Sequence, residues 1–230
     1  MATFAQRINA LSGIDLEAEG KETYYNQWLT DAAKDVINTL PPQILYIASK
    51  TETVLPPVLG GVADSHTTVP QSRILGVERM HAVGHPQYEC REIPFTDRGK
   101  ANANSGYMEE ATAESPVFFR LNNAIYILPL LTDTQAGSAF GFVTYVDYPT
   151  VEYTDTSIPK FPDEIEQLVA LKAAVSAKFW QISEANKEED IEIATSHTNH
   201  MSAINQEYTM CLQNFMNGFQ INAKEQGAGA

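Results

Sequence analysis

Apolar residues recur at steps of three and four near both ends of the chain, and this spacing predicts amphipathic helices. At the N-terminal end it predicts a short helix that stops at Gly13 and a longer helix from Glu22 to Thr39. The apolar positions behind these two predictions are Phe4, Ile8 and Leu11, and then Tyr25, Trp28, Leu29, Ala32, Val36 and Leu40. Pro41 and Pro42 should end the second helix, because proline lacks an amide proton and clashes with the preceding turn.

The C-terminal third predicts an antiparallel helix hairpin, from Phe161 to Ser183 and from Ile191 to Phe219, that packs with the Glu22–Thr39 helix. Proline and two acids open the first of these helices, and the charged run 186–190 forms the turn, with Asp190 as the N-cap of the second. The first seam is Ile165, Leu168, Lys172, Val175, Phe179 and Ile182, and the second is Ala194, His197, Met201, Ile204, Tyr208, Cys211 and Phe215. We expect Phe179 to be buried and Gly218 to end the second helix.

Between these helical ends the apolar pattern changes to short runs and alternation, which predict strands. Gly, Pro, Ser, Thr and Asn separate them, and Asn122-Asn123 predicts a tight hairpin turn. The runs are Ile44–Ala48, Arg73–Arg79, Tyr88–Ile93, Val117–Leu121, Ala124–Leu128 and Phe140–Val146. Five or six strands with long loops favour a small sandwich or barrel-like sheet.

The predicted fold class is therefore α+β, a helical bundle built from the N- and C-terminal helices with an inserted antiparallel β domain. The predicted divisions are 1–42 for the N-terminal helices, 43–155 for the β domain, 156–222 for the helix hairpin and 223–230 for a flexible tail.

The chain is acidic, with a net charge of -14 over 230 residues and a pI of about 4.7. This balance disfavours adhesion to nucleic-acid phosphates and to anionic membranes. Cys90 and Cys211 fall on different predicted elements, so we expect no disulfide and a reducing site of synthesis. Met1 to Asp15 lacks the apolar run of a signal peptide, and no stretch is apolar enough to predict a membrane span. We expect synthesis in the cytoplasm.

Motifs that carry chemistry are weak. The segment Asp97–Lys100 lacks the upstream glycine of a phosphate loop, and Asp64-Ser65-His66 is better explained as a turn than as a catalytic group. His81, His85 and Cys90 have zinc-binding residue types, but the intervening Gly and Pro favour a loop.

Other candidates have equally plain structural explanations. His197 and His200 lie three apart on a predicted helix, where a core or interface histidine is the simpler interpretation. The carboxylates of Glu188, Glu189, Asp190 and Glu192 fit a solvated helix end. Aromatic residues of the strands have the chemistry to stack on sugars, but alternation favours core positions; these are Phe118, Phe119, Tyr126, Phe140, Phe142 and Tyr145. We expect no catalytic, cofactor or metal site, and a protein that is not an enzyme.

Two stretches resemble the head-to-tail connector, or neck, proteins of tailed phages. The first is 158–174 with its "FPDE" helix start, followed by the acidic turn 187–192, and the second is the helix 28–38. The segments 89–100 and 115–118 resemble structural proteins of marine phages with the same layout. The large β insertion departs from the smallest adaptors of this family.

This resemblance implies a virion protein, made in the host bacterial cytoplasm, that forms a ring at the head–tail junction. The ring commonly has twelve copies, sits under the portal, meets tail or neck proteins and lines the channel for passing DNA without binding it specifically. A negative wall suits that passage, and Glu166, Glu184 and Glu207 are candidates on polar helix faces. The loops Asp97–Glu110 and Leu131–Ser138 are expected to be ordered by neighbouring subunits or virion partners. The alternatives are another neck or tail-completion component, and a glycan-binding β module that uses the aromatic residues and the loop Asn102–Gly106.

Overall fold

The computed structural model describes residues 2–15, 22–54, 66–68, 72–80, 86–101, 110–122, 124–129 and 140–227. The chain divides into two compact units, a helical unit of residues 1–47 and 148–230 and a sheet unit of residues 48–147. The sheet unit thus begins five residues after, and ends eight residues before, the predicted limits of 43 and 155. The hypotheses about Asp64, Ser65, His81, His85, Asn102–Gly106 and Leu131–Ser138 lie outside the described residues.

The described helices are α1 (Phe4–Ser12), α2 (Thr23–Thr39), α3 (Pro42–Leu45), α4 (Arg98–Ala101), α5 (Asp163–Lys187) and α6 (Ile191–Gly227). The described strands are β1 (Lys50–Val54), β2 (His66–Thr68), β3 (Ser72–Met80), β4 (Gln87–Glu89), β5 (Arg91–Glu92), β6 (Val117–Leu121), β7 (Ala124–Leu128) and β8 (Phe140–Asp147). Short 3-10 turns occupy Tyr46–Ala48 and Phe95–Asp97. The predicted α+β architecture with helices at both ends is confirmed.

Local chemistry explains where the first helices begin and end. A capping box of Thr3 and Gln6 closes the start of α1, and Gly13 ends it with a φ of 65°, a backbone angle that glycine adopts without strain. The apolar side of α2 is buried as predicted, including Tyr25, Leu29 and Val36. Thr3, Gln6 and Gly13 thus fix the length of α1 from local sequence alone.

The apolar run Ile44–Ala48 is helical and not the start of the β domain. Pro42 takes the first position of α3, where its missing amide proton is not needed, and the 3-10 turn continues from it to Ala48. Ile44 and Leu45 are buried within the helical unit, which extends to Ile47. The two prolines therefore end one helix and start another.

Helix α5 is the central element of the helical unit and packs against α1, α2 and α6. The acids Asp163, Glu164 and Glu166 lie in its first turn as predicted, but Pro162, predicted inside that turn, is the N-cap and the helix begins at Asp163. The helix ends at Lys187, four residues beyond the predicted Ser183, so only 188–190 of the predicted turn 186–190 lie outside the helices. Its closest packing uses small residues, because four alanines at helical spacing are fully buried; they are Ala170, Ala173, Ala174 and Ala177. The expectation for Phe179 is wrong, since its side chain is 67% exposed. The buried side of α5 is rotated away from the seam that the larger apolar residues predicted.

Helix α6 returns along α5 in the opposite direction, as the pairs Lys178–His197 and Lys172–Tyr208 show. All seven predicted seam positions from Ala194 to Phe215 are buried or half-buried. The expected end at Gly218 is wrong, because the helix continues to Gly227 and so into the range predicted as a flexible tail. A single glycine within a helix weakens it by about 1 kcal/mol, which does not break a long helix.

The sheet unit is a sandwich of two four-stranded sheets in the orders β1-β8-β3-β4 and β2-β7-β6-β5. Both sheets contribute to one core, formed by Val77, Cys90, Phe118, Ile125, Ile127, Val143 and Tyr145. The predicted β6–β7 hairpin is confirmed, with Asn122 at a φ of 50° in its turn. The other face of β6 and β7 packs in a smaller cluster with Ala101 and Ala111.

The predicted strand Tyr88–Ile93 is split between the two sheets. β4 pairs antiparallel with β3, whereas β5 pairs parallel with β6. The change takes place at Cys90, whose amide donates to the carbonyl of Val77 at 2.7 Å while its buried side chain joins the common core. The alternation of side chains from Tyr88 to Ile93 is therefore continuous in the sequence, although the chain passes from one sheet to the other at Cys90.

Candidate functional site

The first candidate groups are the titratable residues of the sheet unit. Among the described ranges, no three His, Cys, Asp or Glu side chains are grouped in a way that would hold a metal ion. Cys90 is buried, and burial raises the pKa of its thiol to about 12, with Glu78 and Glu89 acting in the same direction and Arg79 against them. Such a thiol is protonated at neutral pH and is therefore a poor nucleophile and metal ligand.

Arg79 is a buried cation on the inward face of β3, beside Val77 in the alternation. Its Nε donates to the carbonyl of Pro129 at 3.2 Å. Burial lowers its pKa, although the neighbouring Cys90 opposes this. A buried arginine was not predicted, although strict alternation places Arg79 on the same face of β3 as Val77.

The aromatic residues of the sheets are mostly core residues. Phe118 and Tyr145 lie between the two sheets, and Phe119 stacks on Tyr126 with ring centroids 5.0 Å apart. Phe142 is half-buried, and for Phe140 only the backbone is described. A glycan needs exposed rings, and of this set Phe118, Phe119 and Tyr145 are at most 7% exposed. Phe95, which was not predicted, is 36% exposed and lies under the Arg98 guanidinium at 3.8 Å.

Glu166 is a structural carboxylate and not a channel residue. It is only 2% exposed, accepts a hydrogen bond from the Ile158 amide at 2.7 Å and lies 3.4 Å from the Arg7 guanidinium. The polar-face prediction for Glu166 is therefore wrong, because α1 and the segment before α5 cover that side of the helix. Glu184 forms an ion pair with Lys187, and Glu207 is exposed.

The segment that leads into α5 is held by both N-terminal helices. The amides of Phe4 and Ala5, which lack partners within α1, donate to the carbonyls of Asp155 and Tyr153 at 2.9 and 3.0 Å. From α2, Asn26 accepts from the amide of Tyr153 at 2.7 Å. These contacts fix how the helix hairpin sits on the N-terminal helices.

The acidic turn of the hairpin is exposed and has a defined geometry. Asp190 caps α6 by accepting from the amide of Ile193 at 3.0 Å, which confirms the predicted N-cap. Glu189 has a φ of 60°, and Glu188, Glu189 and Glu192 are exposed. These carboxylates face solvent, as their interpretation as a helix end requires.

Two basic groups meet inside the hairpin. Lys178 is 4% exposed, and its Nζ lies 3.4 Å from Nδ1 of His197. Burial lowers the pKa of both groups, and for His197 the charges of Lys178 and His200 lower it further. Their contact stays favourable only while His197 is neutral. The half-buried Lys172 has different neighbours, with Asp35 at 3.8 Å and the Tyr208 ring at 5.6 Å.

An exposed group of aromatic rings joins α2 to α5. Tyr24 stacks on Trp28 at 5.9 Å, and Trp180 lies 6.1 Å from Tyr24 and 6.4 Å from Trp28. Tyr24 is 40% exposed, whereas the two tryptophans are half-buried. The contact between α2 and α5 therefore includes aromatic rings that are partly open to solvent.

The surface that the sequence did not predict is the outward side of α6. This helix contacts α5 and, to a small extent, α1 along one side, and its other side is exposed, including Ile193 and Met210. Ile191 and Phe179, near the turn, are the most exposed large apolar side chains of the described residues. A long helix with one covered side is an arrangement that can join one molecule to another.

No family model matches this sequence, and a comparison with the curated proteins gives no match. Among the residues with described structure, no helix has the length and apolar character needed to cross a lipid bilayer.

Proposed function

We propose that this chain is a non-enzymatic structural protein of a tailed phage, the head-to-tail adaptor that forms a ring between portal and tail. The observation that carries the proposal is that α6 packs on α5 along one side and is exposed on the other. The hairpin of α5 and α6 also resembles the connector family in its helix start and its acidic turn. Because α5 covers only one side of α6, the other side of α6 is available for contacts with another molecule.

Ring formation needs two different surfaces of one chain that meet by rotation. The helical unit has exposed candidates for them in the outward side of α6 and in the hairpin end around Phe179 and Ile191. In this proposal the helical unit forms the ring body, twelve copies follow from the family resemblance, and portal and tail proteins bind the two ends of the ring.

The charge of the chain suits a channel through which DNA passes. A net charge of -14 repels phosphates, so the genome meets few salt-dependent contacts on its way out. Glu207, exposed on α6, and Glu184 remain candidates for the wall, and Glu166 is withdrawn because it is buried.

Among the alternatives, another neck or tail-completion component differs from the adaptor mainly in copy number and position. A glycan-binding β module has less support, because most described aromatic residues of the sheets that were candidates for it are buried.

The test is mass spectrometry of purified virions with copy numbers, followed by reconstruction of the head–tail junction. We expect the chain in the copy number of a single ring directly below the portal. Infectious tailed particles that lack the chain, or density for it away from the neck, would contradict the proposal.

A further inference from the structure

The side of α6 that faces away from α5 carries a second stripe with the spacing of the buried one. Its positions succeed each other at steps of four and three, which keeps them on one face of a helix. They are Asn199, Ala203, Gln206, Met210, Gln213 and Asn217, all exposed. We call this set the outer stripe.

The outer stripe lies in a segment that is depleted of charge. From Ile193 to Ala223 the sequence contains one formally charged residue, Glu207. The chain average of 19% charged residues would place about six in a segment of that length. Exposed helix surfaces are normally charged, whereas the centres of protein interfaces are depleted of charged residues.

We propose that the outer stripe packs against a second copy of this chain. Two copies that each carry a net charge of -14 repel one another. This repulsion is weakest where the two facing surfaces carry no charge, and the outer stripe carries none. Carboxamides both donate and accept hydrogen bonds, so a surface rich in them is able to pair with polar groups on a different surface of the neighbouring copy, as a ring requires. Met210, 60% exposed, supplies an apolar contact in the middle of the stripe.

Other occupants fit the stripe less well. Nucleic acid requires cations, and the stripe has no lysine or arginine. A basic protein would be drawn to the acidic surfaces of the chain and not to its neutral one. The inference rests on the proposed ring, which needs a contact between copies, and it adds the surface at which that contact forms.

The experiment measures self-association of the full chain by sedimentation velocity over a range of concentrations. The test variant is Gln206→Glu with Gln213→Glu, which adds two charges to the stripe without a change in shape. The matched control is Gln27→Glu with Gln43→Glu, which adds the same charge at exposed helical positions elsewhere in the helical unit. We expect the dissociation constant to rise at least about tenfold in the test variant and to change less than about threefold in the control.

Salt gives a second, independent measurement. An uncharged contact between like-charged molecules should strengthen from about 50 mM to about 500 mM NaCl, because salt screens the remaining repulsion. Met210→Lys, a single charge at the centre of the stripe, should weaken association in the same way as the double variant.

A wild-type chain that stays monomeric up to about 1 mM, or a test variant that associates like its control, overturns the inference. Association that weakens with salt overturns it as well, because that result indicates ion pairs. These outcomes are separate from the virion test. If the chain self-associates through the outer stripe but is absent from the neck of the virion, the proposed adaptor function is contradicted and the proposed interface between copies is not.

Discussion

Arg7 and Glu166 lie 3.4 Å apart although 159 positions separate them along the chain. This ion pair joins α1 to the start of α5. The Glu166 carboxylate also accepts a hydrogen bond from the Ile158 amide. The first helix and the start of the C-terminal hairpin are thus joined at a partly buried site, and the whole sheet unit lies between them in the chain.

Replacement of Glu166 tests how much this ion pair and hydrogen bond contribute to stability. We expect Glu166→Ala to lower the free energy of unfolding by about 2–3 kcal/mol, because it leaves the buried Ile158 amide without its acceptor and removes the carboxylate partner of Arg7. Glu166→Gln retains the acceptor for the amide and should lose less. Unfolding in urea can be followed by the fluorescence of Trp28 and Trp180, the two tryptophans of the chain, both in the helical unit. Glu207→Ala is the control, for which we expect a change within about 0.5 kcal/mol. An equal loss of stability in Glu166→Ala and in the control would contradict a stabilising role for the Glu166 contacts.

The rotation of α5 gives a second prediction. Leu171→Ala should destabilise the helical unit by about 2–5 kcal/mol, because Leu171 is fully buried and its loss leaves a cavity. Phe179→Ala should cost less than about 1 kcal/mol, since most of its side chain is already in water. The same urea titration measures both variants, and a larger loss for Phe179 than for Leu171 would show that the helix is oriented differently.

The meeting of Lys178 and His197 predicts a dependence of stability on pH. The folded pKa of His197 is lower than its ordinary value of 6.5, so the unfolded chain binds this proton more readily than the folded one. The contribution of His197 is therefore fully present above about pH 6.5 and is lost as the pH falls from there through the folded pKa.

The measurement is the free energy of unfolding from pH 7.5 to 5. His197→Gln should flatten the fall in stability over this range, whereas His200→Gln, at an exposed position on the same helix, should retain most of it. If the free energy of unfolding falls equally with pH in the wild type and in His197→Gln, His197 is not the cause of the fall. Both variants remove one imidazole, so a difference between them reports on position alone.

The two cysteines should differ in reactivity. Both are free thiols, but Cys90 is buried with a pKa raised to about 12, and Cys211 is only half-buried on α6. At pH 8 we expect iodoacetamide to modify Cys211 first and Cys90 only after unfolding. Peptide mass spectrometry over time separates the two sites. Modification of Cys90 at the rate of Cys211 in the native protein would show that the sheet core is open.

Much of the fold could be predicted because its signals are local. The ends of α1 and α2, the start of α5, the Asp190 cap and the β6–β7 hairpin each depend on a few neighbouring residues. The orientation of α5 is not local. Large apolar residues predicted one seam, whereas the buried side of the helix is formed largely by alanines. Alanine is the strongest helix former and is used on exposed helix positions too, so its presence does not mark a buried side.

The candidate sites were harder to predict for the same reason. Glu166 and Lys178 are polar residues on a helix, and only the elements packed over them make them buried. The crossing at Cys90 is concealed because strands in either sheet alternate in the same way. Apolar periodicity does not predict the outer stripe of α6, because this stripe is defined by the absence of charge.

The passage of the chain at Cys90 from one sheet to the other has a mechanical consequence. β4 and β5 are consecutive segments of one peptide, so tension along this stretch pulls at once on β3 in the first sheet and on β6 in the second. Sliding of one sheet past the other must break backbone hydrogen bonds on at least one side of Cys90, either those of β4 and Cys90 to β3 or those of β5 to β6. Shear between the two sheets is therefore opposed at Cys90 by backbone hydrogen bonds as well as by the core that both sheets share.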